Sequence, residues 1–215
     1  HCVTGVQTCA LPISNTSAAA ILSYDVRHTA PWDWRVSLYT WTKGIASGSY
    51  LIALLLVLAG IMSPDSPIWQ WSAPVLSVTF LAATGGLLLW DLRHPERFHL
   101  IFTRPQWNSW LVKGAFIITG YGLVLGLHVF TSFFELLNMQ RLLMFLGLPL
   151  AVLSAVYTAY LFAQAKARDL WQSPLLPIQL VIQALLAGAA ALALTAAFLE
   201  PDLVNPLLKI TSASC

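Results

Sequence analysis

The stretch LPIQLVIQALLAGAAALALTAAF at residues 176–198 decides the fold, because it contains no Asp, Glu, Lys or Arg. A helix that crosses a bilayer needs roughly 20 mainly apolar residues. Four other windows meet this requirement, at about 39–62, 71–90, 110–134 and 142–163. The sequence therefore predicts an all-α fold, a polytopic membrane helical bundle with about five transmembrane helices visible.

Composition supports the same fold class. Charged residues make up 9% of the 215-residue chain, whereas a typical soluble domain carries about 25%. The 11 Lys and Arg nearly balance the 9 Asp and Glu, and no basic run occurs. Because nucleic-acid binding depends on clustered positive charge, the chain is not expected to bind nucleic acid.

The two ends of the chain differ from the spans. Residues 3–13 resemble the in-frame translation of a sequencing adapter, so we expect 1–13 to be a non-native peptide and 14–38 an N-terminal segment. The tail 199–215 contains no further span and is interpreted as truncated. All three cysteines lie toward the ends, so the spans offer no Cys pair for a disulfide framework or a metal site.

Loop charges predict which helix ends share a side of the membrane. Cytoplasmic loops carry an excess of Lys and Arg. Seven of these residues fall on the side of the N-terminal segment, and two, Arg141 and Lys209, fall on the other side. This bias places the N-terminal segment in the cytoplasm.

Ionisable and polar side chains gather at the basic-loop side of the spans. Charges at membrane depth are costly and usually functional, so this group is a candidate site. Its members, called here the polar crescent, are Lys43, Asp91, Lys113, Tyr157, Tyr160 and Gln164. Two simpler interpretations stay open, because lysines can snorkel to the headgroups and tyrosines can belong to the aromatic belt.

Two further features have structural interpretations. The segment Gly44–Gly48 and the pair Gly122 and Gly126 have the GxxxG spacing that lets helices approach closely. His128 lies in a span, roughly 22 Å from Lys113 at a rise of 1.5 Å per residue, and we interpret it as a hydrogen-bonded helix contact. One histidine in the spans, without clustered carboxylates, predicts neither a haem nor a metal of its own.

Four motifs in order along 32–198 resemble the polysulphide reductase/NrfD family of membrane subunits. They are Trp32–Tyr39 with Gly44–Gly48, the turn Leu89–Phe98, the helix start Ser109–Trp110 with Gly114–Ala115, and the connection Arg168–Trp171. The resemblance implies a haem-free subunit of the bacterial inner (cytoplasmic) membrane that exchanges electrons between the quinone pool and an iron–sulphur partner subunit, often beside a molybdopterin catalytic subunit. Family members usually form two bundles, so the visible spans imply a four-helix bundle plus the first helix of a second.

The resemblance also implies site residues. In the polysulphide reductase member, quinone is held by an Asn, a His and a Tyr, and the matching positions here are Val36, Tyr39 and Tyr157. Only the tyrosine is retained. We therefore expect menaquinone or ubiquinone to be bound by Tyr39, Lys43 and Tyr157, with Lys43 and Asp91 carrying the proton chemistry.

Two other functions stay open. The chain can be a passive anchor for the iron–sulphur and molybdopterin subunits, which the changes at Val36 and Tyr39 favour. It can also be a proton-conducting module that uses Lys43, Lys113 and His128. We rank the module last, because a stretch rich in glycine and leucine separates Lys113 from His128.

Overall fold

The structure, a computed structural model, describes residues 34–91, 99–163 and 173–213, all within one unit of the chain. Every regular element in these ranges is helical. The helices are α1 (Trp34–Leu58), α2 (Ala73–Asp91), α3 (Leu100–Thr103), α4 (Trp110–Phe133), α5 (Leu137–Ala163), α6 (Leu176–Leu199) and α7 (Val204–Ala213), with a π-helical turn at Ile68–Ser72 and a 3-10 turn at Pro201–Leu203.

Five helical segments are long and apolar enough to cross a membrane: α1, the π turn with α2, α4, α5 and α6. The predicted all-α polytopic bundle is confirmed, and the chain is a multi-pass membrane protein. The adapter-like residues 3–13, the loop residues 92–98 and the connection 164–172 lie outside the described residues.

Contacts between the helix ends show that the spans alternate in direction. The Ser66 hydroxyl donates to Glu200 Oε1 at 2.8 Å, which joins the α1–α2 connection to the end of α6. At the opposite end, Lys43 near the start of α1 contacts Thr158 near the end of α5. We call these two ends of the bundle the His128 end and the Lys43 end, after one buried residue in each half.

Helix α1 lies at the centre of the bundle, where it packs against α2, α5 and α6. Its close approach to α6 depends on glycine, because a Cβ atom at Gly48 would overlap the backbone of Ala184 and one at Gly188 would overlap that of Gly48. The predicted packing role of the first GxxxG is therefore confirmed. The second has no such role: Gly126 has no atom within 4 Å of a built Cβ, and Gly122 meets only a methyl of Leu81.

The first helix ends at Leu58, earlier than the span predicted to 62. Gly60 adopts a left-handed conformation with φ of 71°, which glycine reaches without steric cost. The Ile61 amide then bonds to the Leu56 carbonyl at 3.0 Å, and the Gly60 amide bonds to Val57 at 3.1 Å. This pair of bonds is the Schellman motif that caps a helix C-terminus.

The π-helical turn before α2 is explained by Pro74. Proline has no backbone N–H, so it cannot donate to the carbonyl of Gln70 four residues earlier. That carbonyl instead accepts a hydrogen bond from the Ser132 hydroxyl of α4 at 2.7 Å. The turn thus ties the start of α2 to the end of α4 at the His128 end.

The tail that was expected to lack a further span folds as the 3-10 turn and α7. Leu203 and Leu207 are buried, whereas Lys209 is exposed. Helix α7 contains ten described residues. The side of α7 that carries Leu207 packs against α6 at the His128 end.

Candidate functional site

Lys43 lies inside the bundle and does not snorkel to the headgroups. Only 1% of the residue is exposed. Its Nζ donates to the Ala155 carbonyl at 3.3 Å and to the Thr158 hydroxyl, both on α5. None of its contacts with described residues is to a carboxylate. The Lys43 Nζ is therefore held by neutral oxygens and by one aromatic ring.

That ring is Tyr157. The Lys43 Nζ lies 4.6 Å from the ring centroid, within the range of a cation–π interaction. Tyr157 is itself 3% exposed and packs against Gly114 of α4, where any side chain would overlap the ring. Its hydroxyl makes no hydrogen bond to the described part of the chain.

Tyr39 completes the group from the turn of α1 that precedes Lys43. It is buried, and it shares a face of α1 with Lys43 four residues later. Val36 is buried one further turn back on the same face. Tyr39, Lys43 and Tyr157 are called here the Lys43 site. Their role as binding residues stays a prediction.

The remaining members of the polar crescent are placed differently. The backbone of Asp91 ends α2, but its side chain lies outside the described part of the structure, as does all of Gln164. Lys113 and Tyr160 are not in the Lys43 site. Their contacts are with Trp110, whose ring stacks on Tyr160 at 4.5 Å and lies 4.5 Å from Lys113 Nζ.

We call the group of Trp110, Lys113 and Tyr160 the outer cluster. It has the character of an aromatic belt. Tyr160 is 43% exposed and Lys113 is half-buried. Stacked aromatic rings beside a cation suit the headgroup layer. The simpler interpretation of the sequence therefore describes Lys113 and Tyr160, whereas it is wrong for Lys43.

Sequence reasoning missed the Thr158 hydroxyl and the Ala155 carbonyl that hold Lys43, and it also missed the buried serines on the same two helices. Thr158 and Ser154 are one helical turn apart on α5, and both are fully buried. Ser47, one turn after Lys43 on α1, is also buried and bonds back to the Lys43 carbonyl at 2.9 Å. The spacing of four residues on each helix was visible, but nothing in it indicated that the two faces meet.

His128 is a hydrogen-bonded helix contact, as predicted. The residue has no exposed surface, and its Nδ1 lies 3.1 Å from the Tyr50 hydroxyl of α1. Its ring packs edge-on against Trp69 at 4.6 Å. Tyr50 fits against Gly147 of α5, where a Cβ atom would lie 2.6 Å from the phenol ring. Nothing in the sequence indicated Tyr50. The sequence indicated Trp69 only as one of the tryptophans of an interfacial aromatic belt that flank the second span, which is wrong, because the residue is fully buried.

Buried tyrosines occupy the level between the two ends. Tyr50 and Tyr121 have no exposed surface, and the Tyr121 hydroxyl donates to the Ala46 carbonyl at 3.0 Å. The sequence of α4 indicated an apolar gap between Lys113 and His128. The buried hydroxyls of Tyr50 on α1 and of Tyr121 on α4 itself place polar groups in that gap.

A separate groove of about 360 Å³ lies away from the Lys43 site and is lined by Trp71, Ser72, Val75, Leu76, Thr79 and Thr195.

Comparison with known proteins adds one match. A family model described as polysulphide reductase, NrfD, matches residues 23–203. This range contains all five spans and every residue of the Lys43 site. No curated protein matches the chain.

Proposed function

Because the chain belongs to the polysulphide reductase NrfD family, a family of membrane subunits of polysulphide reductase-like complexes, we propose that it is a quinone-reactive subunit of a respiratory oxidoreductase complex in a bacterial inner membrane. The observation that carries the proposal is the Lys43 site. A buried ammonium lies over the ring of Tyr157, whose hydroxyl has no hydrogen-bond partner among the described residues.

The donors of the Lys43 site suit a quinone head group. A quinone presents two carbonyl oxygens that accept hydrogen bonds, on a flat apolar ring. Tyr39 and Tyr157 each supply one hydroxyl donor, and Lys43 supplies a cation. Tyr157 also stands at the position where the family resemblance places a quinone-binding tyrosine. Val36 supplies no donor at the position of the family's Asn, so Lys43 takes over that role.

The energetic cost of Lys43 also favours a functional role. A charge buried without a countercharge is destabilising, and an apolar side chain of similar volume packs the same space at no such cost. Packing alone therefore gives no reason for a lysine here. A ligand whose oxygen becomes negative during reduction gives a reason for the lysine, because a preorganised cation stabilises that charge.

Each residue of the site has a distinct role in this proposal. Tyr39 and Tyr157 orient the head group by hydrogen bonds to its carbonyl oxygens, and Lys43 stabilises negative charge on the nearer oxygen. Asp91, the last residue of α2, exchanges protons with water at the membrane surface. Bound quinone supplies a two-electron, two-proton couple, and the electrons pass to or from an iron–sulphur partner subunit that works with a molybdopterin catalytic subunit.

The second candidate function is a passive anchor for those subunits. It is favoured by the tight burial of the site, because Tyr39, Lys43 and Tyr157 leave at most 3% of their surfaces exposed. A head group must therefore displace these side chains or bind at the Tyr157 hydroxyl. An anchor needs no such rearrangement.

Substitution of Tyr157 in the intact complex distinguishes the two functions. Tyr157→Phe removes one hydroxyl and keeps the ring that Lys43 contacts. We expect quinol oxidation to fall about 10-fold in kcat/KM, the effect of losing one hydrogen bond of about 1.4 kcal/mol. The matched control is Tyr160→Phe on the same helix, which is half-exposed and should retain the original rate.

The anchor function makes the opposite prediction. If Tyr157→Phe and Lys43→Met both leave quinol oxidation and inhibitor binding unchanged while the complex stays assembled, the chain holds its partners without binding quinone.

A further inference from the structure

Three buried side chains at the His128 end each leave one polar atom without a hydrogen bond in the described residues. They are Trp69 of the π turn, His128 of α4 and Gln140 of α5, and none is more than 1% exposed. The unsatisfied atoms are Trp69 Nε1, His128 Nε2 and Gln140 Oε1. Buried polar groups in proteins are almost always paired, so three together require an explanation.

The three side chains belong to one cluster. The rings of Trp69 and His128 lie 4.6 Å apart. The Gln140 amide donates to the Ser132 hydroxyl at 3.2 Å, and that hydroxyl lies 3.0 Å from the His128 carbonyl. Ser132 also bonds to the carbonyl of Gln70, the neighbour of Trp69. We call Trp69, His128, Ser132 and Gln140 the far-end cluster.

The unsatisfied atoms have complementary chemistry. The indole Nε1 can only donate, the amide Oε1 can only accept, and the imidazole Nε2 does either, depending on its tautomer. Water both donates and accepts, and buried water typically makes about three hydrogen bonds to otherwise unpaired groups. We propose that the far-end cluster binds one or more internal water molecules and that His128 exchanges a proton with this water.

The second ring nitrogen of His128 is already engaged inside the bundle. Nδ1 lies 3.1 Å from the Tyr50 hydroxyl, so the proton that Nε2 takes from the water returns to the same water, and the imidazole ends neutral. Tyr50 shares a face of α1 with Ser47 and Lys43, at a spacing of three and seven residues. Ser154 Oγ, also unsatisfied in the described residues, lies one turn from Thr158.

Ser47 lies between Tyr50 and Lys43 along α1, and its hydroxyl bonds to the Lys43 and Gly44 carbonyls of that helix. The proposed water site does not depend on quinone binding, so it can hold even if the chain is a passive anchor.

Hydroxyl-radical footprinting of the full chain in its membrane complex tests the water site. Radicals generated from bound water oxidise adjacent side chains even where bulk solvent does not reach. We expect Trp69 and His128 to be oxidised at least fivefold faster than Tyr121. Tyr121 is equally buried, but its hydroxyl already has a partner. Equal protection of all three residues would overturn the proposal.

A second variant keeps the test independent of folding defects. Gln140→Leu removes the acceptor and should lower oxidation of Trp69 at least threefold. Thr131→Ala is the control, because Thr131 is buried nearby but bonds only to the His128 carbonyl. Oxidation of Trp69 that is unchanged in a folded Gln140→Leu complex would refute the assignment of Gln140.

Proton exchange at His128 has its own measurement. Deuterium exchange at the imidazole Cε1–H requires water and a protonated ring, and mass spectrometry reads it residue by residue. We expect His128 to exchange at a rate within about tenfold of exposed His99. A His128 that retains its hydrogen while His99 exchanges would contradict the proposed proton transfer.

Discussion

Gly114 of α4 faces the ring of Tyr157 of α5 so closely that a Cβ atom at Gly114 would lie 2.5 Å from Cδ2 of the ring. No side chain other than hydrogen fits at this position without moving the tyrosine. The ring in turn carries the Lys43 ammonium on its face. A glycine on one helix therefore sets the geometry of a cation on another.

This relationship predicts that Gly114→Ala displaces Tyr157 and lowers quinol oxidation by up to about 100-fold, the cost that a misplacement of roughly 1 Å can reach. Gly126→Ala in the same helix is the matched control, because that position opens into free space. Rates measured in membranes that contain the assembled complex check the prediction. Equal rates for the two variants would mean that the position of Tyr157 does not matter for turnover.

Lys43→Met separates a functional lysine from a structural one. Met has a similar length and no charge, so the buried interior should accept it, and the thermal midpoint should stay constant or rise. Quinol oxidation should fall about 10-fold or more, because the cation opposite the reacting oxygen is lost. Lys113→Met, in the outer cluster, should change neither quantity. A lower thermal midpoint with full activity would identify Lys43 as a structural residue.

Gly188→Ala tests the packing of α1 against α6. The added methyl would lie 2.6 Å from the Gly48 Cα, and overpacking of this kind costs about 1–3 kcal/mol. We expect that loss in the free energy of unfolding, measured by detergent titration. Gly85→Ala, on α2 with no atom within 4 Å, should cost nothing. Stability that is equal in the two variants would contradict the observed helix contact.

Gly60→Ala tests the cap of α1. Alanine in the left-handed conformation costs about 1–2 kcal/mol relative to glycine, so the variant should unfold more easily by that amount. Gly60→Asn should recover part of the loss, because asparagine tolerates this conformation better. If alanine and asparagine proved equally destabilising, the cause would lie outside the backbone conformation.

The spans and the grouping of their ends were predictable because each depends on local information. The apolar run at 176–198 needs no tertiary contact to be recognised, and the alternation of direction follows from counting spans. Position along the chain also placed Tyr39, Lys43 and Tyr157 at one level of the membrane.

The environment of each side chain was not predictable in this way. Lys43 and Lys113 both lie one turn into a span, yet one is buried and the other lies at the surface. The difference arises from α5, which presents Thr158 and the Ala155 carbonyl to Lys43 from more than 100 residues away. The contact between Tyr50 and His128 spans 78 residues and is equally invisible to helical periodicity. Helical periodicity also cannot show which glycines meet another helix. For this reason the two GxxxG spacings looked alike in the sequence, although only Gly44–Gly48 packs against a neighbouring backbone.

The measurement that tests the central claim most directly is photo-crosslinking of an azido-quinone to membranes that contain the full complex. Peptides that carry Tyr39–Lys43 and Tyr157 should be labelled, and excess unmodified quinone should abolish that labelling. Label confined to the partner subunits, or equally strong on the lipid-facing helices with and without competitor, would show that the Lys43 site does not bind quinone.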